Sequence, residues 1–272
     1  MVSSRTQSSV AVSADGKSWF LINASPDLRA QIEAFPGLHP SPEIARNSPI
    51  AAVLLTNADL DHVLGLFLLR ERSSLRVHAP KPIFEVLARD LRLVDILKPF
   101  CRVDWQETTA DSSTPLPDEN GGPSGLQFRA LPLSAKPPPF AAPSSPEGAQ
   151  SVAYEIVDER TRGKLVIAPD VASITPELLL AMNAADGVLF DGTFWSNREF
   201  QAVTGKIRTA ADMGHLTIRD GSLAVLRGLK ARHKIYLHIN NTNPILNPDS
   251  AECAEVERAG IVVGYDGLEF EL

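Results

Sequence analysis

One stretch of this 272-residue chain is apolar at every position: residues 50–55 read IAAVLL. A strand with one face in water alternates apolar and polar residues, whereas a short unbroken apolar run is typical of a strand covered on both faces. The run therefore predicts a central strand. Directly after it the sequence changes to TNADLDH, which places Asp59, Asp61 and His62 together. Carboxylates buried next to a central strand call for a cation, so this junction is the first candidate for a functional site.

The composition favours a folded protein without a nucleic-acid partner. The chain carries 26 Lys and Arg against 33 Asp and Glu, a net charge of −7 that gives no electrostatic reason to bind phosphate backbones. No window approaches the roughly 18 apolar residues of a membrane span, and the N-terminus lacks a signal-peptide pattern, so we expect a cytoplasmic protein. Cys101 and Cys253 lie outside any Cys-x-x-Cys spacing and predict buried apolar residues, not a disulfide or a zinc site.

The order of patterns along the chain predicts two sheets with outer helices. Two strand-like runs flank the turn signal Ala14-Asp15-Gly16, which indicates a hairpin. Helical patterns cover 61–71, 81–97, 175–185 and 222–232, and further strand patterns cover 126–133, 151–157, 164–169, 187–192, 234–239 and 260–266. Segments rich in Pro and Ser predict two long loops, at about 107–124 and 135–150, that flank one strand. No linker divides the chain, so residues 1–272 are expected to form a single domain.

The acidic pair after the first buried run admits two interpretations. Along an extended segment, residues two apart point the same way with Cα atoms about 7 Å apart, so Asp59 and Asp61 can face a common point. Two carboxylates about 6 Å apart repel by roughly 3 kcal/mol at an effective dielectric constant near 20, which a bound cation would relieve. Alternatively, Asp61 caps a helix that begins near His62, while Asp59 is simply solvated. This stretch alone leaves both interpretations open.

Four later junctions favour the cation. Asp170 and Asp191 each follow an apolar strand pattern, His215 follows a glycine just before a predicted helix, and His238 ends a strand pattern. Each alone is typical of a turn, a cap or a structural histidine. Together with Asp59, Asp61 and His62 they form a set at strand ends, where ligands on loops are held by a rigid scaffold. The other three histidines, which receive no role, are His39, His78 and His233.

The order of these junctions resembles the metallo-β-lactamase superfamily, which implies an α/β fold of the αββα four-layer sandwich type. Its signature His-x-His-x-Asp-His falls on residues 57–62, its strand-end Asp on Asp170 and its last His on His238. In the tRNA-processing branch of the superfamily, an acid in an EATF element and a His in an HST element assist catalysis. Asp191 in DGTFW and His215 in GHLT look like their counterparts.

A narrower resemblance covers nearly the whole chain. The segments NSPIAAVLLTNADLDHVLGLFLLRE, MGHLTI and HINNTNPIL are similar to the pyrroloquinoline quinone (PQQ) biosynthesis protein B family. Members of that family usually begin some thirty residues earlier, with a strand, a Gly-rich loop and a Cys-rich zinc knuckle. This sequence has no counterpart of that segment, so no Cys-type structural zinc is expected in this form.

The resemblance implies one complete metal site and one lost site. The first two His positions of the signature are Asn57 and Asp59 here, and the segment ALPLSAKPPPF, where a third His would lie, contains none. The other site is complete, and its expected ligands are Asp61, His62, Asp170 and His238. Two His with carboxylates and unoccupied coordination positions are the ligand set of non-haem Fe(II) oxygen chemistry. Zinc is the alternative metal that preparations of the protein could contain.

The family resemblance also implies a reaction. The expected activity is iron- and O2-dependent hydroxylation of the tyrosine ring of a Glu-Tyr intermediate derived from a precursor peptide. Asp59 and Asp191 are expected to orient the ring hydroxyl or accept its proton, and Asn57 to bind substrate or metal-bound water. His215 is expected either to support a metal ligand or to act as an acid or base. Two alternative functions stay open. The protein could carry PQQ or a late precursor of it, or it could be a metal-dependent hydrolase that acts on the precursor peptide. A homodimer also stays open.

Overall fold

The computed structural model describes residues 2–44, 47–110, 112–142 and 148–272, and within these ranges the first five strands form one sheet. They are β1 (Val10–Val12), β2 (Trp19–Ile22), β3 (Ile50–Leu54), β4 (Ser74–Ala79) and β5 (Arg102–Glu107), in that spatial order. β1 is antiparallel to β2, which confirms the hairpin, and the other pairs are parallel. β3 is buried at every residue in the middle of the sheet, as its unbroken apolar run predicts.

Seven strands form a second sheet, in the spatial order β12-β11-β10-β9-β8-β7-β6. They are β6 (Thr114–Pro117), β7 (Pro123–Leu133), β8 (Ser151–Asp158), β9 (Lys164–Ala168), β10 (Gly187–Asp191), β11 (His233–Leu237) and β12 (Val262–Val263). Pairs from β6 to β9 are antiparallel and pairs from β9 to β12 are parallel. β6 falls inside the segment expected to be a loop at 107–124, so that expectation was wrong there. Its two prolines hide the strand pattern, yet prolines are tolerated on an edge strand.

Eight α-helices cover the outer faces and the edges of the sheets within the described ranges. They are α1 (Leu28–Ala34), α2 (Leu60–Val63), α3 (Lys81–Arg89), α4 (Leu93–Leu97), α5 (Pro176–Asn183), α6 (Glu199–Thr204), α7 (Leu223–Gly228) and α8 (Ala251–Arg258). One apolar core lies between the sheets, a second joins the first sheet to α1, α3 and α4, and a third joins the second sheet to α5, α7 and α8. The four layers confirm the expected αββα sandwich.

The strand pleat explains how one sheet serves two cores. In β8, Val152 and Tyr154 face the first sheet, whereas Ala153 between them faces the helices. Because β3, β4 and β5 run parallel, and β9, β10 and β11 also run parallel, each set ends at one common edge. Loops that follow these strands are thereby brought together.

All four predicted helices are shorter than their patterns, and two of the patterns are interrupted. The pattern at 61–71 becomes α2 followed by a 3-10 helix, in which Gly65 packs so closely on Ser25 that a Cβ there would lie 2.3 Å from the Ser25 carbonyl oxygen. The pattern at 81–97 divides into α3 and α4 around Arg92, whose φ is 54°. No helix in the described ranges could cross a membrane. Cys101 and Cys253 are buried and unpaired with each other, as expected.

Candidate metal centre

All eight predicted site residues lie in one neighbourhood at the common sheet edge. They are Asn57, Asp59, Asp61, His62, Asp170, Asp191, His215 and His238. His215 reaches it from the loop between α6 and α7, not from a strand end, 24 residues after the aspartate that it contacts. The fold therefore brings together the residues that the sequence interpretation grouped, although His215 does not come from a strand end.

Two overlapping groups of side chains have donor atoms close enough to hold a metal ion. Asp61, His62 and His238 form one group, and Asp170, His215 and His238 form the other, each with its ligand atoms within 4.8 Å of one another. His238 belongs to both, because its Nε2 lies 3.0 Å from Asp61 Oδ2 and its Nδ1 lies 3.6 Å from Asp170 Oδ1. Burial opposes a positive charge on His238, but the carboxylates of Asp170 and Asp61 outweigh it and raise the pKa of His238 to about 10. A metal at Nε2 would displace that proton.

The imidazole of His62 supplies the test of whether a metal fits. The ring is fully buried, and its Nδ1 lies 2.9 Å from Asn57 Oδ1, the geometry of an N–H donor to an amide oxygen. Burial lowers the pKa of His62, so the ring is neutral and Nε2 carries a lone pair. That Nε2 has no hydrogen-bond partner within the described residues and faces Asp61 Oδ2 at 3.9 Å. An unpaired nitrogen beside a carboxylate and a second imidazole is suited to a metal ion.

Asn57 stands where the superfamily signature has its first histidine, and its side chain joins two expected ligands. Its Nδ2 donates to Asp170 Oδ2 at 3.0 Å, and its Oδ1 faces His62 and accepts from the Asp59 amide at 3.0 Å. Only 4% of the residue is exposed. Both ends of its amide group are bonded within the protein, and the expected contact of Asn57 with substrate or metal-bound water stays a prediction.

Asp191 is fully buried, and four hydrogen bonds surround its carboxylate. It accepts from the amides of Val171 and Thr193, each at 2.9 Å, from Thr193 Oγ1 at 2.6 Å and from His215 Nδ1 at 2.8 Å. These donors, His215 foremost, outweigh burial and lower the pKa of Asp191, while Asp191 raises the pKa of His215. Direct contact of Asp191 with a substrate ring, as expected from the sequence, is excluded by this burial. Asp191 instead orients His215, which leaves Nε2 of His215 toward Asp170, 4.0 Å from Oδ1.

Thr193 is a residue of the site that the sequence interpretation missed. Its Oγ1 lies 2.8 Å from His238 Nδ1 and donates to Asp191 Oδ1. This hydroxyl thus holds the Nδ1 side of the His238 ring, which leaves Nε2 for a metal. The one sequence signal was a hydroxyl two residues after a strand-end aspartate, which is also typical of an ordinary turn.

The backbone at His238 directs the ring into the site. His238 follows β11 with a φ of 56°, a left-handed conformation that is uncommon for a residue with a side chain. Its amide donates to Ser8 Oγ at 2.8 Å. Asn243 fastens the same loop to the loop after β10, because its Nδ2 donates to Gly192 O at 2.8 Å. The last His position is therefore held from both the N-terminal segment and the neighbouring strand end.

The two acids of the opening motif differ in charge. α2 begins at Leu60, so Asp61 lies inside the helix and does not cap it, while Asp59 at the cap position makes no side-chain capping bond. Burial, and then the charges of Asp170 and Asp61, raise the pKa of Asp59 to about 7. Although burial opposes it, the His238 hydrogen bond holds the pKa of Asp61 well below its usual range. The capping interpretation of Asp61 was therefore wrong.

An αββα sandwich with Asp and His side chains at the shared sheet edge defines a protein of the metallo-β-lactamase class. The family model described as beta-lactamase superfamily domain matches residues 18–239. Over 276 aligned positions the chain is 40% identical to coenzyme PQQ synthesis protein B of Cupriavidus necator, covering 98% of this chain and 88% of that protein. The chain belongs to the coenzyme PQQ synthesis protein B family.

Solved structures agree with this assignment. The crystal structure of Zn²⁺-bound PqqB from Methylobacterium extorquens matches with a TM-score of 0.88 and 34% identity, over 100% of this chain and 89% of that one. A diphosphatase of the PhnP family matches with a TM-score of 0.68 at 21% identity, over 98% of this chain and 84% of that one. At that identity the second match shows the fold alone.

Proposed function

We propose that this chain acts in PQQ biosynthesis as a mononuclear iron hydroxylase, which uses O2 to hydroxylate the tyrosine ring of a Glu-Tyr intermediate. Membership of the PQQ synthesis protein B family supports the pathway. The observation that carries the chemistry is the unpaired Nε2 of His62, which is fully buried and faces Asp61 beside the His238 ring. Such a nitrogen calls for one metal at this point of the edge.

The proposed ligands are Asp61, His62, Asp170 and His238. Oxygen atoms of Asn57 and Thr193 hold the Nδ1 sides of the two rings, which is the support that metal-bound histidines usually have. When bound there, Fe(II) supplies the activation of O2 that an all-protein site lacks. Zn²⁺ in the Methylobacterium relative is compatible with this proposal, because zinc outcompetes Fe(II) at most nitrogen and oxygen sites.

The remaining residues act on the substrate ring and its proton. Asp59, with no capping bond and its carboxylate within the electrostatic reach of Asp170, orients the ring hydroxyl. His215 receives or returns a proton at Nε2, since its Nδ1 is bonded to Asp191. Asp191 takes no part in substrate contact and keeps the His215 ring in place.

The decisive experiment uses protein loaded anaerobically with Fe(II), then given Glu-Tyr, O2 and ascorbate, a two-electron donor that allows the second oxygen atom to leave as water. Mass spectrometry should detect a product heavier by one oxygen, and the zinc-loaded protein is the matched control. Replacement of His62 by Ala should abolish turnover. If the iron and zinc forms are equally inert, the hydroxylase proposal is wrong.

The same variant separates the proposal from the two alternatives. A carrier of PQQ or a late precursor would keep its ligand after His62→Ala, whereas the hydroxylase loses product. A binuclear hydrolase needs a second metal, and in this structure Asn57 spans from His62 to Asp170 at the position of a lost ligand. One metal per chain at saturation would exclude the hydrolase.

A further inference from the structure

A cleft of about 370 Å³ opens at the same sheet edge as the candidate metal centre. Pro80 and Pro82, at the start of α3, form one wall, and Ala130 and Val152, which face the core between the sheets, form the opposite wall. Thr108, which directly follows β5, also lines it. The cleft therefore continues the groove between the two sheets, on the side of β4 and β5.

Backbone contacts show that the cleft adjoins the metal centre. The Val152 amide donates to Thr56 O at 2.8 Å, and Thr56 directly precedes Asn57. In the antiparallel pair of β8 with β9, Tyr154 lies opposite Ile167, so Val152 is level with position 169, immediately before Asp170. Neighbouring strands are about 4.8 Å apart. The cleft and the metal centre are therefore neighbours, with the contact between Val152 and Thr56 between them.

The lining of the cleft carries both signs of charge over an apolar surface. Lys81, the first residue of α3, supplies the positive charge. The helix N-terminus adds little, because Pro82 has no N–H and the Ile83 amide donates to Pro80 O at 3.1 Å. The Lys81 Nζ lies 3.7 Å from Glu85, and the two side chains are 65% and 38% exposed, so this ion pair is weak and open to exchange. Glu107 is a second, exposed carboxylate of the lining. Thr108 is 6% exposed, and its Oγ1 makes no hydrogen bond of good geometry within the described residues.

We propose that this cleft binds the amino-acid end of the substrate, with a carboxylate at Lys81 and an ammonium group at Glu107. The proposal rests on the proposed function, because the aromatic ring of the same molecule then lies toward the metal. The ligand class is an aromatic α-amino acid or a short peptide that ends in one. Apolar walls of proline and alanine accept the carbon chain between the two charged groups.

The test compares three probes on zinc-loaded protein by titration calorimetry: tyrosine, tyramine, which lacks the carboxylate, and 3-(4-hydroxyphenyl)propanoate, which lacks the amine. Wild-type protein should prefer tyrosine to both. Lys81→Met should weaken tyrosine binding about tenfold and leave tyramine unchanged, and Glu107→Gln should weaken tyrosine and leave the propanoate unchanged. Lys98→Met, at an exposed lysine next to α4, is the matched control and should change nothing.

The outcomes separate this inference from the proposed function. If wild-type protein binds tyrosine no better than tyramine, or if Lys81→Met weakens all three probes equally, the cleft is not the amino-acid site. Iron-dependent hydroxylation can persist in that case. If the selective losses occur while the iron-loaded protein stays inert, the cleft assignment stands and the hydroxylase proposal fails.

Discussion

Replacing Thr193 by Val tests whether the hydroxyl of Thr193 positions a metal-binding histidine. The change removes Oγ1, which lies 2.8 Å from His238 Nδ1, and keeps the size of the side chain nearly constant. The next acceptor for that nitrogen is Asp170 Oδ1 at 3.6 Å, too far for a good hydrogen bond. We therefore expect the His238 ring to lose its fixed orientation.

The expected magnitude follows from the contacts that remain. Loss of such a supporting bond costs about 10- to 100-fold in metal affinity, or roughly 1.4–2.7 kcal/mol. Asp191 keeps three of its four hydrogen bonds but loses the 2.6 Å bond from Thr193 Oγ1, so the metal-free protein should also lose about 1–3 kcal/mol of stability. Thr193→Ser keeps the hydroxyl and should bind metal within about threefold of wild type.

The assay is competition for Zn²⁺ against a chelator at one fixed pH, because metal binding releases protons. Thermal unfolding of the metal-free variants shows the temperature at which each is folded, so that affinity is measured well below that point. Equal affinities for Thr193→Val and wild-type protein would contradict the positioning role. Equal losses in the Val and Ser variants would also contradict it, since the hydroxyl would then not be the cause.

Three further predictions concern stability and metal affinity. Burial lowers the pKa of His78 to about 4 in the folded chain. At pH 5 the unfolded chain therefore binds a proton at this residue and the folded chain does not. The free energy of unfolding of the wild-type protein should fall by about 2 kcal/mol between pH 7.5 and pH 5. His78→Leu should remove that part of the acid sensitivity in urea titrations, and His39→Leu at the surface should not. Tyr154→Phe loses the 2.8 Å hydrogen bond to Leu55 O, so the free energy of unfolding should fall by about 1–2 kcal/mol while metal affinity stays unchanged. A urea midpoint equal to that of the wild-type protein would refute this prediction. Asn57→Ala should weaken Zn²⁺ binding about 10- to 100-fold in chelator competition, and an unchanged affinity would show that its bonds do not position the ligands.

Local patterns predicted the parts of the structure that depend on local chemistry. The unbroken apolar run of β3 predicted a central strand because only a strand covered on both faces has no place for polar residues. The acids and histidines that follow such strands could be assigned to one site from the sequence, since parallel strands end at one edge of a sheet. The edge strand β6 could not be predicted, because its pairing with β7 comes from tertiary contact.

The inner organisation of the site was beyond sequence reasoning. Thr193 meets His238 across 45 positions, and no local pattern encodes that contact. Asp191 and Asn57 were expected to meet substrate because they stand among reactive residues. The structure buries both and uses their polar atoms to hold His215, His62 and Asp170, which is a property of packing that residue type does not reveal.

The contact between Asp61 and His238 spans 177 positions, so the order of synthesis determines when the metal site can form. At about 5–20 residues per second, His238 leaves the ribosome roughly 10–35 s after Asp61. Until then the nascent chain offers Asp61, His62 and Asp170 without His238, and this incomplete set of ligands holds metal more weakly than the full set. We therefore expect the ion to enter after translation, when both sheets have docked. A ribosome-bound chain stalled before residue 238 should accordingly retain no metal, whereas the released chain should.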